Sequence, residues 1–440
     1  MAAETIGGGP TIIIELGLDR GEPETYAMPT RATVPIWLGP LFIAMLVLLC
    51  STASAAPLPP PLSPVLSLMV GPADSYAITD AGQLLAQSYG RLSAYDLGSG
   101  ALRWEIRTVA PTYRLRTGGG VVLLRPSSVG PNETSTIAVS VDTGAVQWQH
   151  QGSVMSIPGS PMLLSYMGVR SLSGFGRRVQ GPVESIDPDT GQTRWRVEVP
   201  STAVLIGVPG PAGAAPRMLL VRDDRTFAVH DLDTGAQLAS ASLPAADYAP
   251  DNPAVSGGLI VLRHPGDYGT EVSAYDPVTL VRRWVRRADG VAVAQACGAL
   301  TCLAGADGVR AVDPADGSQR WIGPQWHSVQ QRGDLLLASA SPDPAADPAA
   351  IVDPATGRVL ADLRGWRLLG GTGYGDHLLV TRVVDAGART MVAVAGPGDP
   401  HPRMLAELPP GTGDCQAAPG RLVCRSSSGE LVVWAYRQEG

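Results

Sequence analysis

Apolar and polar residues alternate in short runs along most of the chain, and residues typical of turns separate the runs. Leu92-Ser-Ala-Tyr95 and Ala101-Leu-Arg-Trp104 are two such runs. Alternation with a period of two places successive side chains on opposite faces of a strand, so both runs are predicted to be half-buried β-strands. The intervening Asp96-Leu-Gly-Ser-Gly100 predicts a tight turn, because Asp accepts hydrogen bonds from turn amides and Gly can take a positive φ.

This unit recurs as Asp, two residues, Ser or Thr, Gly, three residues and Trp. The glycine position falls at 100, 144, 191, 235, 280, 317 and 357, with steps of 37 to 47 residues. This period is typical of four-stranded propeller blades, and the Trp supplies a flat surface that packs against the next blade. The signature positions, which we interpret as structural, are Asp96, Gly100, Trp104, Gly144, Trp148, Asp187, Gly191, Trp195, Asp231, Gly235, Asp276, Trp284, Asp313, Gly317, Trp321, Asp353 and Gly357.

Several copies of the unit are incomplete. Ser140 occupies the Asp position of the second copy, Ala239 and Ala361 replace Trp, and Leu280 replaces Gly. Residues 392–398 resemble a decayed eighth copy.

The repeats resemble those of the quinoprotein-type (PQQ-like) β-propeller family, whose blades carry an Ala-x-Asp-x-x-Thr-Gly-x-x-x-Trp signature. The resemblance covers residues 65–440 and implies an all-β, PQQ-like β-propeller. It does not decide the function, because such blades build both quinone-dependent sugar and alcohol dehydrogenases and a cofactor-free outer-membrane assembly lipoprotein.

The repeat count predicts eight blades, with seven and nine as alternatives. The C-terminal segment from Arg421 to Trp434 ends after a third strand and lacks a fourth. By analogy with other propellers, a strand near Val65–Met69 is expected to complete that last blade.

The N-terminal region predicts a membrane segment. No charged residue occurs between Ala32 and Ala73, and 34–56 supplies the roughly 20 apolar residues that a transmembrane helix needs. We therefore predict a cytoplasmic tail over 1–33, mostly disordered, a single membrane span over 34–56 and a Pro-rich stalk over 57–64, with the propeller outside the cell membrane. Two alternatives stay open, a signal peptide cleaved after Ala53-Ser54-Ala55 and a lipidated Cys50.

Four cysteines lie outside this segment in two close pairs. Cys297 and Cys302 flank a centre at Ala299–Leu300, and Cys415 and Cys424 flank Pro419–Gly420. Both spacings place the two cysteines across a hairpin, within reach of a disulfide. Free thiols or a metal site are the alternatives, and disulfides would indicate an extracytoplasmic location.

The search for chemistry yields no catalytic, cofactor-binding or metal-binding residue. The net charge of −7 gives no support to nucleic-acid binding. Quinone-dependent members of the family typically use adjacent cysteines, a calcium set and an Asp base, and no Cys-Cys pair occurs here. Arg282-Arg-Trp-Val-Arg-Arg287 is either a solvated strand face or a patch for an anionic partner. Thr11–Leu18 is either disordered or a strand that adds to a cytoplasmic partner.

The sequence therefore predicts a membrane-tethered propeller that binds or scaffolds an envelope protein or polymer without a cofactor. The alternative function is a PQQ-dependent sugar or alcohol dehydrogenase, with PQQ and calcium in a divergent site.

Overall fold

The computed structural model describes residues 35, 37–52, 61–107, 112–126, 135–157, 160, 162–168, 177–208, 216–246, 250–267, 269–343, 346–371, 377–384 and 389–436. The chain divides into two compact units, Met1–Pro59 and Pro60–Gly440.

The first unit contains the helix α1, Leu38–Thr52. Its described apolar side chains are exposed, with Phe42 at 67% and Leu48 at 65%. The described part of the chain contains no helix with the length and hydrophobicity needed to cross a bilayer. The membrane span over 34–56 stays a prediction, and the tail over 1–33 lies outside the described residues.

The second unit consists of short strands. The first twelve are β1 (Leu62–Met69), β2 (Tyr76–Ile78), β3 (Gln83–Ser88), β4 (Arg91–Asp96), β5 (Leu102–Arg107), β6 (Thr112–Gly118), β7 (Val121–Pro126), β8 (Ser135–Ser140), β9 (Val146–Gln151), β10 (Ser153–Ser156), β11 (Leu163–Gly168) and β12 (Arg177–Ile186). The next twelve are β13 (Thr193–Val208), β14 (Arg217–Arg222), β15 (Thr226–Asp231), β16 (Gln237–Ser242), β17 (Asp251–Ser256), β18 (Leu259–Gly266), β19 (Gly269–Tyr275), β20 (Arg282–Arg287), β21 (Val291–Cys297), β22 (Leu300–Gly305), β23 (Gly308–Val312) and β24 (Gln319–Gly323). The last twelve are β25 (Ser328–Arg332), β26 (Leu335–Ser339), β27 (Ala350–Val352), β28 (Val359–Asp362), β29 (Arg367–Leu368), β30 (Gly370–Gly371), β31 (Leu378–Val384), β32 (Arg389–Ala395), β33 (Arg403–Leu408), β34 (Thr412–Ala418), β35 (Arg421–Ser426) and β36 (Glu430–Tyr436).

The described strands form eight sheets, and most are four-stranded antiparallel meanders. One sheet has seven strands in the order β10 to β16, because β13 is long enough to pair with β12 on one side and β14 on the other. It therefore contains two overlapping four-stranded units that share β13. The all-β prediction is confirmed, and the number of eight blades stays a prediction.

The first strand after the N-terminal unit, β1, completes the last sheet. β1 pairs antiparallel with β36, from Leu62 opposite Tyr436 to Met69 opposite Glu430. This closure matches the prediction for Val65–Met69. The strand begins at Leu62, inside the stretch predicted as a stalk, because its backbone already pairs with β36 there; residues 57–60 of that stretch lie outside the described residues.

Neighbouring four-stranded units are joined by a tryptophan of one repeat that lies on the glycine of the next. A Cβ added to Gly191 would fall 2.5 Å from the ring of Trp148, so only a glycine admits the ring there. Gly191 also has a φ of 70°, which disfavours side chains. The indole Nε1 of Trp148 donates to the carbonyl of Pro188, at 2.7 Å, in the same turn.

The same contact recurs at four further junctions. The pairs are Trp104 with Gly144, Trp195 with Gly235, Trp284 with Gly317 and Trp321 with Gly357. In each of them the indole also donates to a backbone carbonyl in the turn of the next repeat.

One junction exchanges both partners. The repeat that has Ala239 in place of Trp faces the repeat that has Leu280 in place of Gly. Leu280 is 5% exposed with a φ of 54°, and it belongs to a buried cluster against which Ala239 packs. The side-chain volume has therefore moved from one side of the junction to the other.

Two histidines are buried among these strands. His264, on β18, is 1% exposed; its Nε2 lies 2.8 Å from Ser273 Oγ and its Nδ1 lies 2.9 Å from the Pro265 carbonyl. His230, on β15, is 4% exposed, and its Nδ1 lies 3.1 Å from the Gly235 carbonyl. Burial lowers the pKa of both imidazoles, and the nearby Arg225, Arg282 and Arg222 act in the same direction.

We expect the free energy of unfolding to fall as the pH drops from 7.5 to 5.5. In the unfolded chain the histidines bind protons with a pKa near 6.5, whereas in the folded chain the pKa of the two buried histidines is lower. Acid therefore favours unfolding, by at most about 1.4 kcal/mol per pH unit for each of these histidines. Urea titrations over this range measure the slope. His264→Gln flattens it, whereas His377→Gln, at an exposed position, leaves it unchanged. Stability that rises with acid in this window would contradict the assignment.

Candidate functional site

The signature aspartates are held in the turns between the third and fourth strands of their units. In Asp187, Oδ1 accepts the backbone amides of Asp189 at 2.9 Å and Thr190 at 3.0 Å. Asp276 does the same with the amides of Val278 and Thr279. The Asx turn predicted from the sequence is present at both.

The second carboxylate oxygen faces an arginine seven residues later. Asp96 pairs with Arg103 and Asp276 with Arg283, each at 2.6 Å. Asp187 with Arg194 and Asp313 with Arg320 repeat the arrangement. Sequence reasoning missed this pair, although the signal was available: an arginine directly precedes the tryptophan in these four copies.

These contacts keep the aspartates ionised. The hydrogen bond from Arg103, followed by those from Ser99, holds the pKa of Asp96 far below its usual value. The amide of Thr279, with Arg283, does the same to the pKa of Asp276. A carboxylate whose lone pairs already serve turn amides and an arginine is a poor proton acceptor and a poor calcium ligand.

Copies without the arginine use another donor. Leu238 and Leu360 occupy its position after Asp231 and Asp353. There the threonine hydroxyl of the turn donates to the carboxylate, at 2.9 Å from Thr234 and 2.7 Å from Thr356.

Two of the four arginines on β20 pair with carboxylates of the same fold, and a third binds backbone carbonyls. Arg283 pairs with Asp276, and Arg287 pairs with Asp289 at 2.5 Å. Arg286 donates to the carbonyls of Asp316 and Gly317. This geometry agrees with the interpretation of the cluster as a solvated strand face.

The structure confirms both predicted disulfides, Cys297–Cys302 and Cys415–Cys424. Cys415 and Cys424 lie directly opposite each other on β34 and β35, as their spacing predicted. The turn of the first hairpin is centred one residue earlier than predicted, at Gly298-Ala299, so that Cys297 pairs with Leu300. The reason is local: Gly298 takes the positive φ of 62° that this turn requires.

A cavity of about 240 Å³ lies beside β34, and we call it the β34 cavity. It is lined by Arg367, Leu368, Leu369, Thr381, Val383, Thr390, Thr412, Gly413, Asp414 and Cys415. Among its polar groups, Thr390 donates to the Thr412 carbonyl and Asp414 pairs with Arg425. The cavity is smaller than the roughly 300–1,000 Å³ typical of cofactor and ligand sites.

The residues do not fit a quinone site of the kind found in dehydrogenases. No two cysteines are adjacent in the sequence, and within the described ranges no group of three or more His, Cys, Asp or Glu side chains is placed to hold a metal ion. The tightly paired aspartates of the turns offer no substitute. The Trp, Gly and Asp positions of the signature therefore serve the junctions and turns of the fold.

Comparison with known structures finds several similar chains at low identity. BamB from Moraxella catarrhalis is 17% identical, covering 85% of this chain and 100% of its own, with a TM-score of 0.41. A europium-containing methanol dehydrogenase is 12% identical over 58% of this chain and 69% of its own, with a TM-score of 0.36. A quinohemoprotein alcohol dehydrogenase from Pseudomonas putida HK5 is 12% identical over 63% and 71%, with a TM-score of 0.37. No curated protein matches the chain significantly.

A family model also matches the sequence. The model described as outer membrane protein assembly factor BamB matches residues 67–173 and 179–361, which is more than half of the chain. These segments contain the seven clear copies of the repeat. The chain belongs to this family of PQQ-like repeat β-propellers.

Proposed function

We propose that this protein is a non-catalytic β-propeller that binds a protein partner in the cell envelope and holds it near the membrane. The proposal rests on one observation, which is that the signature side chains have structural roles within the fold. Tryptophans and glycines join neighbouring repeat units, and aspartates are occupied by turn amides, arginines or threonine hydroxyls. The repeats thus form a rigid frame whose surface loops are left for recognition.

Family membership supports the same function. The matching family model is described as outer membrane protein assembly factor BamB, and a factor for the assembly of proteins must contact proteins. Repeat propellers suit this task because their many loops present a large, pre-organised surface.

The proposed location follows from the N-terminal sequence and the disulfides. Residues 34–56 would anchor the chain in the cell membrane with 1–33 in the cytoplasm, and two disulfides suit an oxidising compartment. Thr11–Leu18, the candidate strand for a cytoplasmic partner, lies outside the described residues.

The full-length protein should bind no stoichiometric quinone. We expect dialysis against PQQ with Ca²⁺ to leave no retained chromophore, and alcohols and sugars to give no dye reduction. The physical reason is that the carboxylates a calcium ion needs are already paired. Stoichiometric quinone with turnover would overturn the scaffold proposal in favour of a dehydrogenase with a divergent site.

Protease treatment of intact cells tests the location. With an accessible envelope, the propeller should be degraded while an epitope placed in 1–33 is protected. Lysed cells serve as the control, because both parts are then exposed to protease. A propeller that resists protease in intact cells but not in lysed ones would place it inside and refute the topology.

A further inference from the structure

We infer that Cys415–Cys424 is a thiol–disulfide exchange site, opened at Cys415 Sγ by a dithiol reductant, whereas Cys297–Cys302 is a permanent structural bridge. This inference goes beyond the proposed scaffold and does not depend on it.

The two bridges differ in access. Cys297 and Cys302 are both 0% exposed, inside a buried cluster. Cys424 is also 0% exposed, but Cys415 is only partly buried and lines the β34 cavity. A cavity of about 240 Å³ has room for several water molecules at roughly 30 Å³ each. A small thiol can therefore approach the Cys415 sulfur without unfolding the sheet.

A β-bulge lies next to Cys415. The register of β34 against β35 shifts between Gly413 and Cys415, which leaves Asp414 as an extra residue. Asp414 has a φ of 44°, which is unusual for a residue with a side chain. Bulges re-aim neighbouring side chains and are common beside functional sites. No register shift occurs between Cys297 and Cys302, whose strands pair in step through the turn.

The charges around Cys415 are balanced. Arg367 lines the cavity and lies 3.5 Å from Asp347, while Asp414 pairs with Arg425. Among the described residues that line the cavity, the carboxylate of Asp414 is therefore paired, and it does not present a free negative charge to an approaching thiolate.

The exchange is balanced in atoms and electrons. The thiolate of the reductant attacks Cys415 Sγ, the Cys415–Cys424 bond breaks, and the Cys424 sulfur leaves as a thiolate. The second thiol of the reductant then attacks the first sulfur of the reductant in the mixed disulfide. The bond between that sulfur and Cys415 Sγ breaks, and Cys415 leaves as a thiolate. Two electrons pass to the pair, the two protons of the dithiol go to the two cysteines, and the reductant leaves as a disulfide.

The hairpin is held by other contacts when the bridge opens. Backbone pairing continues on both sides, from Thr412 opposite Ser426 to Ala418 opposite Arg421. The loop closed by the bridge is short, and short loops gain less from a cross-link than long ones. Reduction therefore loosens the bulged end of β34, where the Asp414 carbonyl accepts the Tyr76 hydroxyl, and leaves the sheet intact.

A reduction time course on the oxidised full-length protein tests this inference. Cys50 is alkylated first, dithiothreitol is added at pH 8, and samples are labelled with iodoacetamide and analysed by peptide mass spectrometry. We expect Cys415 and Cys424 to be labelled about tenfold faster than Cys297 and Cys302, because attack rate depends on access to the sulfur. Near-ultraviolet circular dichroism confirms that the fold persists, and hydrogen exchange should increase at 412–416.

Two matched variants separate the bridges. Cys297→Ser with Cys302→Ser retains the fast labelling phase, whereas Cys415→Ser with Cys424→Ser removes it. Equal rates at both bridges, faster opening of Cys297–Cys302, or labelling only when the fold is lost would each overturn the inference.

Discussion

The packing of neighbouring repeat units depends on one contact, a tryptophan of one repeat that lies on the glycine of the next. The glycine supplies two properties at once, because its positive φ ends the turn and its missing side chain admits the indole. At Gly191 an added Cβ would meet the Trp148 ring at 2.5 Å. The indole also satisfies a turn carbonyl, so turn, strand and neighbouring sheet are fixed together.

The exceptions follow the same constraint. Ala239 and Leu280 exchange the large and the small partner, and the junction stays buried. Gly100 has no preceding tryptophan, since the strand before it in the ring is β1, and an added Cβ would instead lie 2.9 Å from the Val65 carbonyl. What persists at the junctions described above is close contact rather than a particular residue, which is the expected behaviour of a well-packed interior.

Much of this could be predicted from sequence because the signals are local or repeated. Alternation predicted the strands, the Asp-to-Gly spacing predicted the turns, and symmetric cysteine spacing predicted the bridges. The sequence could not reveal that β13 serves two units, since the alternation pattern does not show whether a strand continues without a break from one unit into the next. It also could not reveal the bulge at Asp414, which depends on backbone geometry.

The central claim is that each junction is a pair of complementary volumes, and a double-mutant cycle at the exceptional junction tests it most directly. Ala239→Trp alone should overpack against Leu280, and Leu280→Gly alone should leave a cavity, each costing about 1–3 kcal/mol of unfolding free energy. The double variant recreates the Trp–Gly pair and should recover at least about 1 kcal/mol relative to the sum of the two. Additive losses in urea unfolding would contradict the account.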